Sequence, residues 1–353
     1  MTRPKLDIRS VAKRYGEAVA LSPTSLQVGA GEFLTLLGPS GSGKTTLLLM
    51  IAGLTEASGG EILLDGQEIT RKPAYRREIG VVFQNYALFP HLSVFENVAF
   101  PLRMRKRPES ELKTAIGRAL ELVRLGHLAG RLPRELSGGQ QQRVAFARAI
   151  VFDPQLVLMD EPLGALDKKL RDELKLEIRK LHAELKKTIV YVTHDQDEAM
   201  LLSDRVCLIN EARVEQIDTP AVLYERPLTR FAAGFVGESN LIDGIVAGGR
   251  ISLGERLLAT AHGNRLPAEG QPVTVLIRPE RLRFAGTSDV AQLQGKVVDV
   301  IDLGAVRRLS ITGDRDIQLT MTVLGGGRPV EIGSDVALTV APEDVVPLTE
   351  RVS

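Results

Sequence analysis

The sequence lacks the features on which secreted and membrane-spanning proteins depend. Cys207 is its one cysteine, so no disulfide can form within the chain, and the apolar run around it indicates core packing. No run approaches the roughly 18 apolar residues of a membrane span, and the first residues lead into no apolar leader segment. We therefore expect a protein of a reducing compartment, with other chains spanning the bilayer if it works at a membrane.

An excess of charge of one sign is also missing. The chain has 45 lysines and arginines and 44 aspartates and glutamates, which give a net charge of +1. This balance gives no reason to expect nucleic acid as a ligand. What is present is ordinary for a globular protein, with 44% hydrophobic and 25% charged residues. The chain of 353 residues is long enough for two domains of about 150 residues each.

The most informative stretch is a glycine-rich segment that matches the phosphate-loop pattern G-x-x-x-x-G-K-[ST] without a mismatch. An apolar run at 33–37 precedes it and a helical run at 46–51 follows, which favours a phosphate loop over a turn that matches by chance. Glycines let consecutive N–H groups point into one concavity, and the following helix adds the positive end of its dipole. Lys44 is expected to reach the β- and γ-phosphates of a nucleotide, and Thr45 to bind Mg²⁺. The predicted cofactor-binding residues of this loop are Gly38, Pro39, Ser40, Gly41, Ser42, Gly43, Lys44, Thr45 and Thr46.

Two further apolar runs end in residues that can do chemistry. The run at 156–161 ends in Asp160 and Glu161, and the run at 189–194 ends in His194. Fully apolar strands are typical of the centre of a parallel sheet, where the site lies at the carboxyl edge. A lone histidine at a strand end is more often structural, so His194 depends on the residues that accompany it.

Two weaker signals lie elsewhere in the chain. Ser137, Gly138, Gly139 and Gln140 stand just before or at a predicted helix start, where N–H groups and a hydroxyl can meet an anion. Taken alone, that segment could equally be a flexible hinge. Tyr15 is an aromatic residue beside a turn, and taken alone it is better explained by packing.

Together these elements occur in the order found in the ATPase subunits of ABC transporters, which the chain resembles from about residue 5 to residue 235. The motifs that carry the resemblance are the loop 38–45, Gln84, Leu136–Gln140, Asp160–Glu161, Gly164-Ala165-Leu166-Asp167 and His194. The resemblance implies an α/β P-loop NTPase, with a RecA-like core, a β subdomain and a helical subdomain that carries the signature 137–140.

The resemblance also implies the roles of single residues. The ligands that it implies for ATP and Mg²⁺ are Tyr15 on the adenine, Thr45, Gln84 and Asp160 on the metal, and His194 on the γ-phosphate. In that family Glu161 acts as general base on the attacking water, with Gln84 beside it, which suits a reaction that needs positioning and charge neutralisation. The signature Ser137–Gln140 acts on the nucleotide of a second copy in a head-to-tail dimer, and Asp167 lies at the dimer seam.

Further partners follow from the resemblance alone. Two membrane-spanning permease subunits are expected to dock near residues 84–97, at the cytoplasmic face of the inner membrane, with a solute-binding protein acting indirectly. The aromatic and basic residues there fit a docking surface, although they could equally be core: Tyr86, Phe89, His91 and Phe95. We expect no nucleic-acid partner.

After residue 236 the pattern of the sequence changes. Short β-like runs separated by glycine turns replace the helical periodicity, so we divide the chain into an ATPase domain at 5–236 and a β domain at 237–353. Residues 270–282 align without gaps with 333–345, which indicates two related β units packed as OB-like barrels, or else two unrelated strands that end in Pro-Glu turns. The tail resembles the accessory TOBE domain of maltose, iron and polyamine importers. Without a stripe of aromatic and basic residues, regulation or dimer contact is favoured over nucleic-acid binding.

The cargo has to be inferred from sequence segments outside the ATP site. Segments 85–100 and 234–240 look most like the spermidine/putrescine importer ATPases, although iron, sulfate and sugar importers share much of them. At 210–213 this chain lacks the glycine that relatives place in the turn, so we expect Asn210 or Glu211, rather than Ala212, to carry the left-handed backbone. The alternatives are a soluble ABC ATPase that acts on DNA or ribosomes, which the single compact ATPase disfavours, and a non-hydrolysing regulatory subunit, which Glu161 disfavours.

Overall fold

The computed structural model describes residues 3–164, 167–254, 256–286, 290–326 and 330–349. Contacts between Cα atoms divide the chain into two compact units, Met1–Pro220 and Ala221–Ser353. The boundary expected from the sequence, after residue 236, therefore lies inside the second unit. Among the described residues, no helix is both long enough and apolar enough to cross a membrane.

The first unit is built from strands and helices that alternate after an N-terminal β segment. Its strands are β1 (Leu6–Tyr15), β2 (Ala18–Val28), β3 (Phe33–Leu37), β4 (Gly59–Leu64), β5 (Gln67–Glu68), β6 (Ile79–Val82), β7 (Leu156–Asp160), β8 (Ile189–Thr193), β9 (Arg205–Asn210) and β10 (Arg213–Asp218). Its helices are α1 (Lys44–Ala52), α2 (Val94–Met104), α3 (Glu109–Leu122), α4 (Gly138–Ile150), α5 (Lys168–Leu185) and α6 (Gln196–Leu202).

The central sheet sets the position of every predicted catalytic residue. Within the described residues it has six strands in the order β10-β9-β3-β8-β7-β6, parallel except for the pair β9 and β10. Strands β3 and β8 are buried along their whole length, as apolar strands covered on both faces must be. Because neighbouring parallel strands end at the same edge, the residues after β3, β6, β7 and β8 meet there.

Two apolar layers pack against this sheet. On one side α1 shares a core with the sheet β2-β1-β4-β5, and α1 is apolar almost all round because it is covered from both sides. On the other side, helices α2, α3, α4 and α5 enclose a second core with side chains of β7 and β8. Helix α2 begins in a capping box in which Ser93 and Glu96 satisfy each other's backbone N–H groups. The predicted RecA-like core, β subdomain and helical subdomain are therefore confirmed.

The turn between β9 and β10 corrects one expectation. Glu211 and Ala212 both have positive φ, 46° and 62°, so the expectation that Ala212 would avoid this backbone was wrong. Asn210 pairs with Arg213 across a two-residue turn, and such a turn with both central residues left-handed matches the twist of the flanking strands. The carbonyl of Ala212 also accepts a hydrogen bond from the Ser22 N–H at 2.8 Å, which holds this turn against β2.

The second unit is mostly β, as the sequence predicts. Its helices are α7 (Pro220–Glu225), which begins at the boundary, and α8 (Arg230–Phe235). Its strands are β11 (Asn240–Ala247), β12 (Arg250–Ser252), β13 (Leu257–Leu258), β14 (Pro272–Ile277), β15 (Arg283–Phe284), β16 (Leu293–Asp302), β17 (Val306–Gly313), β18 (Gln318–Leu324), β19 (Asp335–Thr339) and β20 (Val346–Pro347). In the described part they form two five-stranded sheets, β13-β12-β11-β14-β20 and β15-β19-β16-β17-β18.

The internal repeat is visible in these sheets. Each aligned segment forms a strand (β14 or β19) and a 3₁₀ turn at Pro-Glu, and a short strand follows it directly (β15 or β20). Each short strand pairs with the other repeat: β15 joins β19 and β20 joins β14. Arg281 and Asp344, which the sequence alignment makes equivalent, form an ion pair with each other at 3.5 Å. This contact between equivalent positions supports two related units over two unrelated strands, with an exchange of strands that the sequence did not predict.

Candidate nucleotide site

The phosphate loop connects β3 to α1 at the carboxyl edge of the central sheet. Its glycines are required by space as well as by backbone angle. At Gly38, which has φ 155°, a Cβ atom would lie 2.0 Å from the carbonyl oxygen of Ile209. At Gly43, which has φ 103°, a Cβ atom would lie 2.7 Å from the carbonyl oxygen of Ala20. Larger residues would therefore push the loop off the neighbouring strands.

Lys44 and Ser42 give the loop its polar interior. The Lys44 ammonium donates to the carbonyl oxygens of Gly38 and Pro39, both at 2.8 Å, and it is 4% exposed. Burial lowers the pKa of Lys44, and the carboxylates of Glu161 and Asp160 act in the opposite direction. The Ser42 hydroxyl oxygen is buried and has no hydrogen-bond partner among the described residues. A buried cation and an unpaired hydroxyl in one loop fit a phosphate group.

Thr45 and Asp160 form the arrangement expected of a metal site. The Thr45 hydroxyl donates to Oδ1 of Asp160 at 3.0 Å. Burial raises the pKa of Asp160, whereas the Thr45 hydrogen bond acts to lower it. Hydroxyl and carboxylate oxygens suit Mg²⁺, which takes few protein ligands when phosphates supply others. Among the described residues, no cluster of three or more His, Cys, Asp or Glu side chains is placed to hold a metal by itself.

Glu161 lies where three strand ends meet. Its Oε2 accepts a hydrogen bond from Gln84 Nε2 at 3.4 Å, and its Oε1 lies 3.2 Å from Nδ1 of His194. The Glu161 N–H donates to the carbonyl oxygen of Val192 at 2.9 Å, which ties the residue to β8. Its φ is 41°, a left-handed backbone that costs about 1 to 3 kcal/mol in a residue other than glycine. The structure thus brings Gln84, Glu161 and His194 together, as the sequence predicts.

Tyr15 lies at the end of β1 with its ring on the surface. The side chain is 58% exposed, and the Lys13 ammonium lies 4.7 Å from the ring centroid. An aromatic ring that leaves this much surface open is available for stacking. The packing interpretation is therefore wrong for Tyr15.

In the part of the chain that the structure describes, the signature segment and Asp167 make only local hydrogen bonds. Ser137 caps α4 and forms a reciprocal capping box with Gln140, and Asp167 caps α5 through the Leu170 N–H at 3.0 Å. Among the described residues, no hydrogen bond joins Ser137, Gly138, Gly139 or Gln140 to the phosphate loop. Of the predicted motif 164–167, Gly164 and Asp167 are described, whereas Ala165 and Leu166 lie outside the described residues.

The aromatic residues after Gln84 divide between core and surface. Tyr86 is 6% exposed and belongs to the helical core, and Phe95 packs against that core. Phe89 packs against Phe100 with ring centroids 4.5 Å apart and the ring planes tilted by 47°, and Phe100 is 37% exposed. The core interpretation therefore applies to Tyr86 and Phe95.

Three residues of consequence escaped the sequence analysis. Arg148 of α4 donates to the backbone carbonyls of Tyr86 and Ala87, and Arg77 donates to those of Met50 and Ile51 at the end of α1. Glu198 accepts from the Thr193 hydroxyl beside His194. A charged residue within an apolar helix was a signal for Arg148, and the spacing from Asp195 to Glu198 is that of a helix-capping pair. Nothing in the sequence pointed to the link between Arg77 and the end of α1, because Met50 and Ile51 lie far from Arg77 along the chain.

Comparisons with known proteins agree with this geometry. The family model of the ABC transporter matches residues 21–164, and that of the TOBE domain matches residues 275–348. The chain is 47% identical over 305 residues to the spermidine/putrescine import ATP-binding protein of Rubrobacter xylanophilus, a match that covers 84% of this chain and 81% of the relative. This chain belongs to the ABC transporter family of ATP-binding proteins. It is an ATP-binding and ATP-hydrolysing subunit of that family, which confirms the resemblance drawn from the motifs.

Other members of the ABC family show how widely the sequence is shared. The sulfate/thiosulfate import ATP-binding protein of Chromobacterium violaceum is also 47% identical, over 312 residues that cover 87% of this chain and 86% of the relative. Among solved structures, CbiO1 of Clostridium perfringens, part of the ABC transporter complex CbiONQ, matches with a TM-score of 0.59 and 32% identity. That match covers 66% of this chain and 92% of CbiO1.

Proposed function

We propose that this ABC ATPase drives the import of a small solute, with polyamines as the cargo. It works as a head-to-tail pair of copies beneath two permease subunits, at the cytoplasmic face of the inner membrane. The observation that carries the proposal is the meeting of Glu161 with Gln84 and His194, beside Lys44 and the Thr45–Asp160 pair. A subunit that only bound ATP would not need this arrangement.

The residues around Glu161 have distinct roles in ATP hydrolysis. Glu161 accepts a hydrogen bond from the attacking water and acts as general base, Gln84 orients that water, and His194 contacts the γ-phosphate. Lys44 offsets the charge of the β- and γ-phosphates. Thr45, Asp160 and Gln84 hold Mg²⁺, which when bound neutralises charge that develops on the phosphates.

The pairing of two copies is supported by residues that have no local catalytic partner. Ser137 and Asp167 present capped helix ends that make no contact with the chain's own phosphate loop in the described residues. In the head-to-tail pair, Ser137, Gly138, Gly139 and Gln140 meet the ATP of the other copy, Asp167 lies at the seam, and Tyr15 stacks on the adenine. ATP then holds the pair closed and hydrolysis releases it, a two-state motion that the permease converts to transport.

A permease docking surface is supported by the exposed apolar residues of α2. Phe100 and Met104, one helical turn apart, are 37% and 67% exposed, and Phe100 packs against Phe89. Such a patch suits a short cytoplasmic helix of a permease subunit, which in turn receives cargo from a solute-binding protein. The TOBE domain serves regulation or contact between copies.

The cargo is proposed from the similarity to relatives named for spermidine and putrescine import, of which several match this chain. A sulfate/thiosulfate relative of equal identity makes sulfate the second candidate. The deciding experiment measures uptake of labelled putrescine, spermidine, sulfate, ferric iron and maltose in cells that lack this chain. The cells are complemented with the wild type or with Lys44→Ala, and expression of both is checked.

We expect loss of polyamine uptake alone, restored by the wild type and not by Lys44→Ala. Loss of sulfate uptake instead would keep the mechanism and overturn the cargo. Normal uptake of every solute would contradict the importer, and would favour an ABC ATPase that acts on a soluble partner.

A further inference from the structure

The side chain of His194 is 55% exposed, whereas the backbone on both sides of it is held by hydrogen bonds of its neighbours. The Thr193 hydroxyl accepts from the Asp195 N–H at 3.0 Å and donates to Glu198 Oε2 at 2.7 Å. The Glu198 N–H in turn donates to Oδ1 of Asp195 at 3.0 Å. These three hydrogen bonds form a closed ring beside the peptide units on both sides of His194. We call this ring of hydrogen bonds, as distinct from the imidazole, the His194 ring.

We propose that Glu198 is a positioning residue for ATP hydrolysis, which holds Thr193 so that the His194 ring presents His194 to Glu161 and the γ-phosphate. This inference rests on the proposed role of His194. Glu198 itself touches neither Glu161 nor the phosphate loop in the described structure, so its effect on the reaction passes through His194.

The burial of Glu198 supports a specific task. The side chain is 3% exposed, and burial raises the pKa of its carboxyl group, while the bonds from Thr193 and Tyr191 act to lower it. Within the described residues it makes no ion pair of its own. Burying a carboxylate costs free energy that a leucine at the same place would not cost. What the carboxylate adds is an acceptor for two buried hydroxyls, one of which belongs to the His194 ring.

The His194 ring is also linked to the loop that follows Glu161. Arg171 of α5 donates to Oδ2 of Asp195 at 3.4 Å, and α5 begins at its cap Asp167. The segment that carries His194 and the helix that starts at the proposed dimer seam are therefore held together by one ion pair. This contact places the ring where a change at the seam can reach His194.

The chain offers a matched pair of variants for the test. The Tyr191 hydroxyl donates to the same Glu198 oxygen at 2.8 Å and is equally buried, but it takes no part in the His194 ring. Thr193→Val removes the ring hydroxyl with little change in shape, and Tyr191→Phe removes the other hydrogen bond to the same carboxylate. Each variant is measured for kcat, KM for ATP and thermal unfolding in the full-length chain.

We expect Thr193→Val to lower kcat about tenfold or more, with KM for ATP changed less than about twofold, because small errors of position affect the reacting geometry most. Tyr191→Phe should lower the unfolding temperature by about as much as Thr193→Val does, because each variant removes one hydrogen bond to Glu198, and it should leave kcat unchanged. An equal loss of kcat in both variants, or no loss in Thr193→Val, would overturn the proposal.

A double-mutant cycle separates positioning from a general structural role. Since the ring acts through His194, Thr193→Val should cause no further loss of kcat in a His194→Ala background. Additive losses would overturn the proposal. Unchanged hydrolysis in His194→Ala would overturn the assignment of His194, and with it the proposal. If His194→Ala lowers kcat and Thr193→Val does not, the positioning role of Glu198 is overturned and the assignment of His194 stands.

The conservative variant supplies a rescue. The amide oxygen of Glu198→Gln can accept both hydroxyl hydrogen bonds, so its kcat should stay within about twofold of the wild type, whereas Glu198→Leu should behave like Thr193→Val. If Glu198→Leu fails to fold, the comparison of Thr193→Val with Tyr191→Phe still decides. A Glu198→Gln variant as impaired as Thr193→Val would show that the charge matters, and would overturn the ring as the cause.

Discussion

At the scale of single residues, Glu161 combines a strained backbone with the chemistry proposed for it. Its positive φ lets the side chain leave β7 toward Gln84 and His194, which come from the ends of β6 and β8. A residue held in such a conformation costs free energy that the surrounding structure must offset. The hydrogen bond from the Glu161 N–H to Val192 is part of that support.

Glu161→Gln tests the general base. The amide keeps the size and the contact with Gln84 but cannot take a proton, so the rate of ATP hydrolysis should fall about 10² to 10⁴-fold. ATP binding should persist, because Lys44 and Thr45 are untouched. Phosphate release, ATP binding and molecular mass in the presence of ATP are the measurements, and an ATP-dependent dimer of this chain alone is expected.

The control is Glu121→Gln, the same chemical change on the exposed surface of α3. It should hydrolyse ATP like the wild type. Normal turnover in Glu161→Gln would refute the general-base assignment, and a mass that stays monomeric with ATP would refute the pairing of identical copies.

The sequence predicted which residues lie in this site better than it predicted the contacts that hold them. Lys44, Thr45, Asp160 and Glu161 lie in short motifs whose chemistry can be deduced from residue type and order. The strained backbone of Glu161 and the support of His194 by Glu198 depend on contacts between separate strands and helices. Such contacts leave no periodic pattern in one sequence, and so they were not predicted.

At the scale of secondary structure, α1 shows how one helix serves both the core and the site. Its first residue is Lys44 and its last turn is met by Arg77, which is 4% exposed. The guanidinium donates to the carbonyls of Met50, Ile51, Thr70 and Lys72, and burial lowers the pKa of Arg77. A cation at the end of the helix complements its dipole and satisfies carbonyls that have no partner within the helix.

Arg77→Met should therefore destabilise the first unit. Methionine fills similar space but leaves several buried carbonyls unpaired, so the free energy of unfolding should fall by about 3 kcal/mol. Urea unfolding followed by circular dichroism measures this. Arg76→Met is the matched control, since Arg76 is exposed, and it should change stability by less than about 0.5 kcal/mol. Equal effects of the two variants would rule out the capping role of Arg77.

Helices were predicted well where their periodicity is strong. The apolar spacing at 111–123 and at 167–187 predicts a helix in each range, and α3 and α5 lie within a few residues of those bounds, because each helix has one buried face. The turn at Glu211 and Ala212 was predicted less well. Intrinsic preference argued against a left-handed alanine, and the pairing of β9 with β10 overrode that preference.

At the scale of the whole molecule, each unit has hydrophobic cores formed by its own residues. The cores of the first unit contain residues from Leu6 to Ile217, and those of the second contain residues from Ala233 to Leu348. The repeat in the second unit was found from one aligned pair of segments. The exchange of β15 and β20 between the repeats was not, because sequence similarity shows which segments are related and not which of them pair.

The periodicity of the sequence and the packing of the structure place the boundary between the two units at different residues. Helical periodicity ends near residue 236, yet α7 and α8 are fastened to the second unit through Arg278, which is 4% exposed. Its guanidinium donates to the carbonyls of Tyr224, Ala233 and Glu238 and stacks on the Tyr224 ring at 4.1 Å. In the second repeat the aligned position is Ala341, so only the first repeat has this anchor.

A pair of fragments tests which boundary governs folding. A fragment of residues 221–353 keeps every carbonyl acceptor of Arg278 and the packing of Ala233 on Leu276. A fragment of residues 237–353 keeps Glu238 but loses that packing and the Tyr224 and Ala233 carbonyls, which leaves the guanidinium poorly paired. The longer fragment should unfold with a free energy about 3 kcal/mol higher in urea. Arg278→Met in the longer fragment should remove most of that difference, because it removes the anchor and keeps the two helices. Equal stability of the two fragments would instead support the boundary after residue 236.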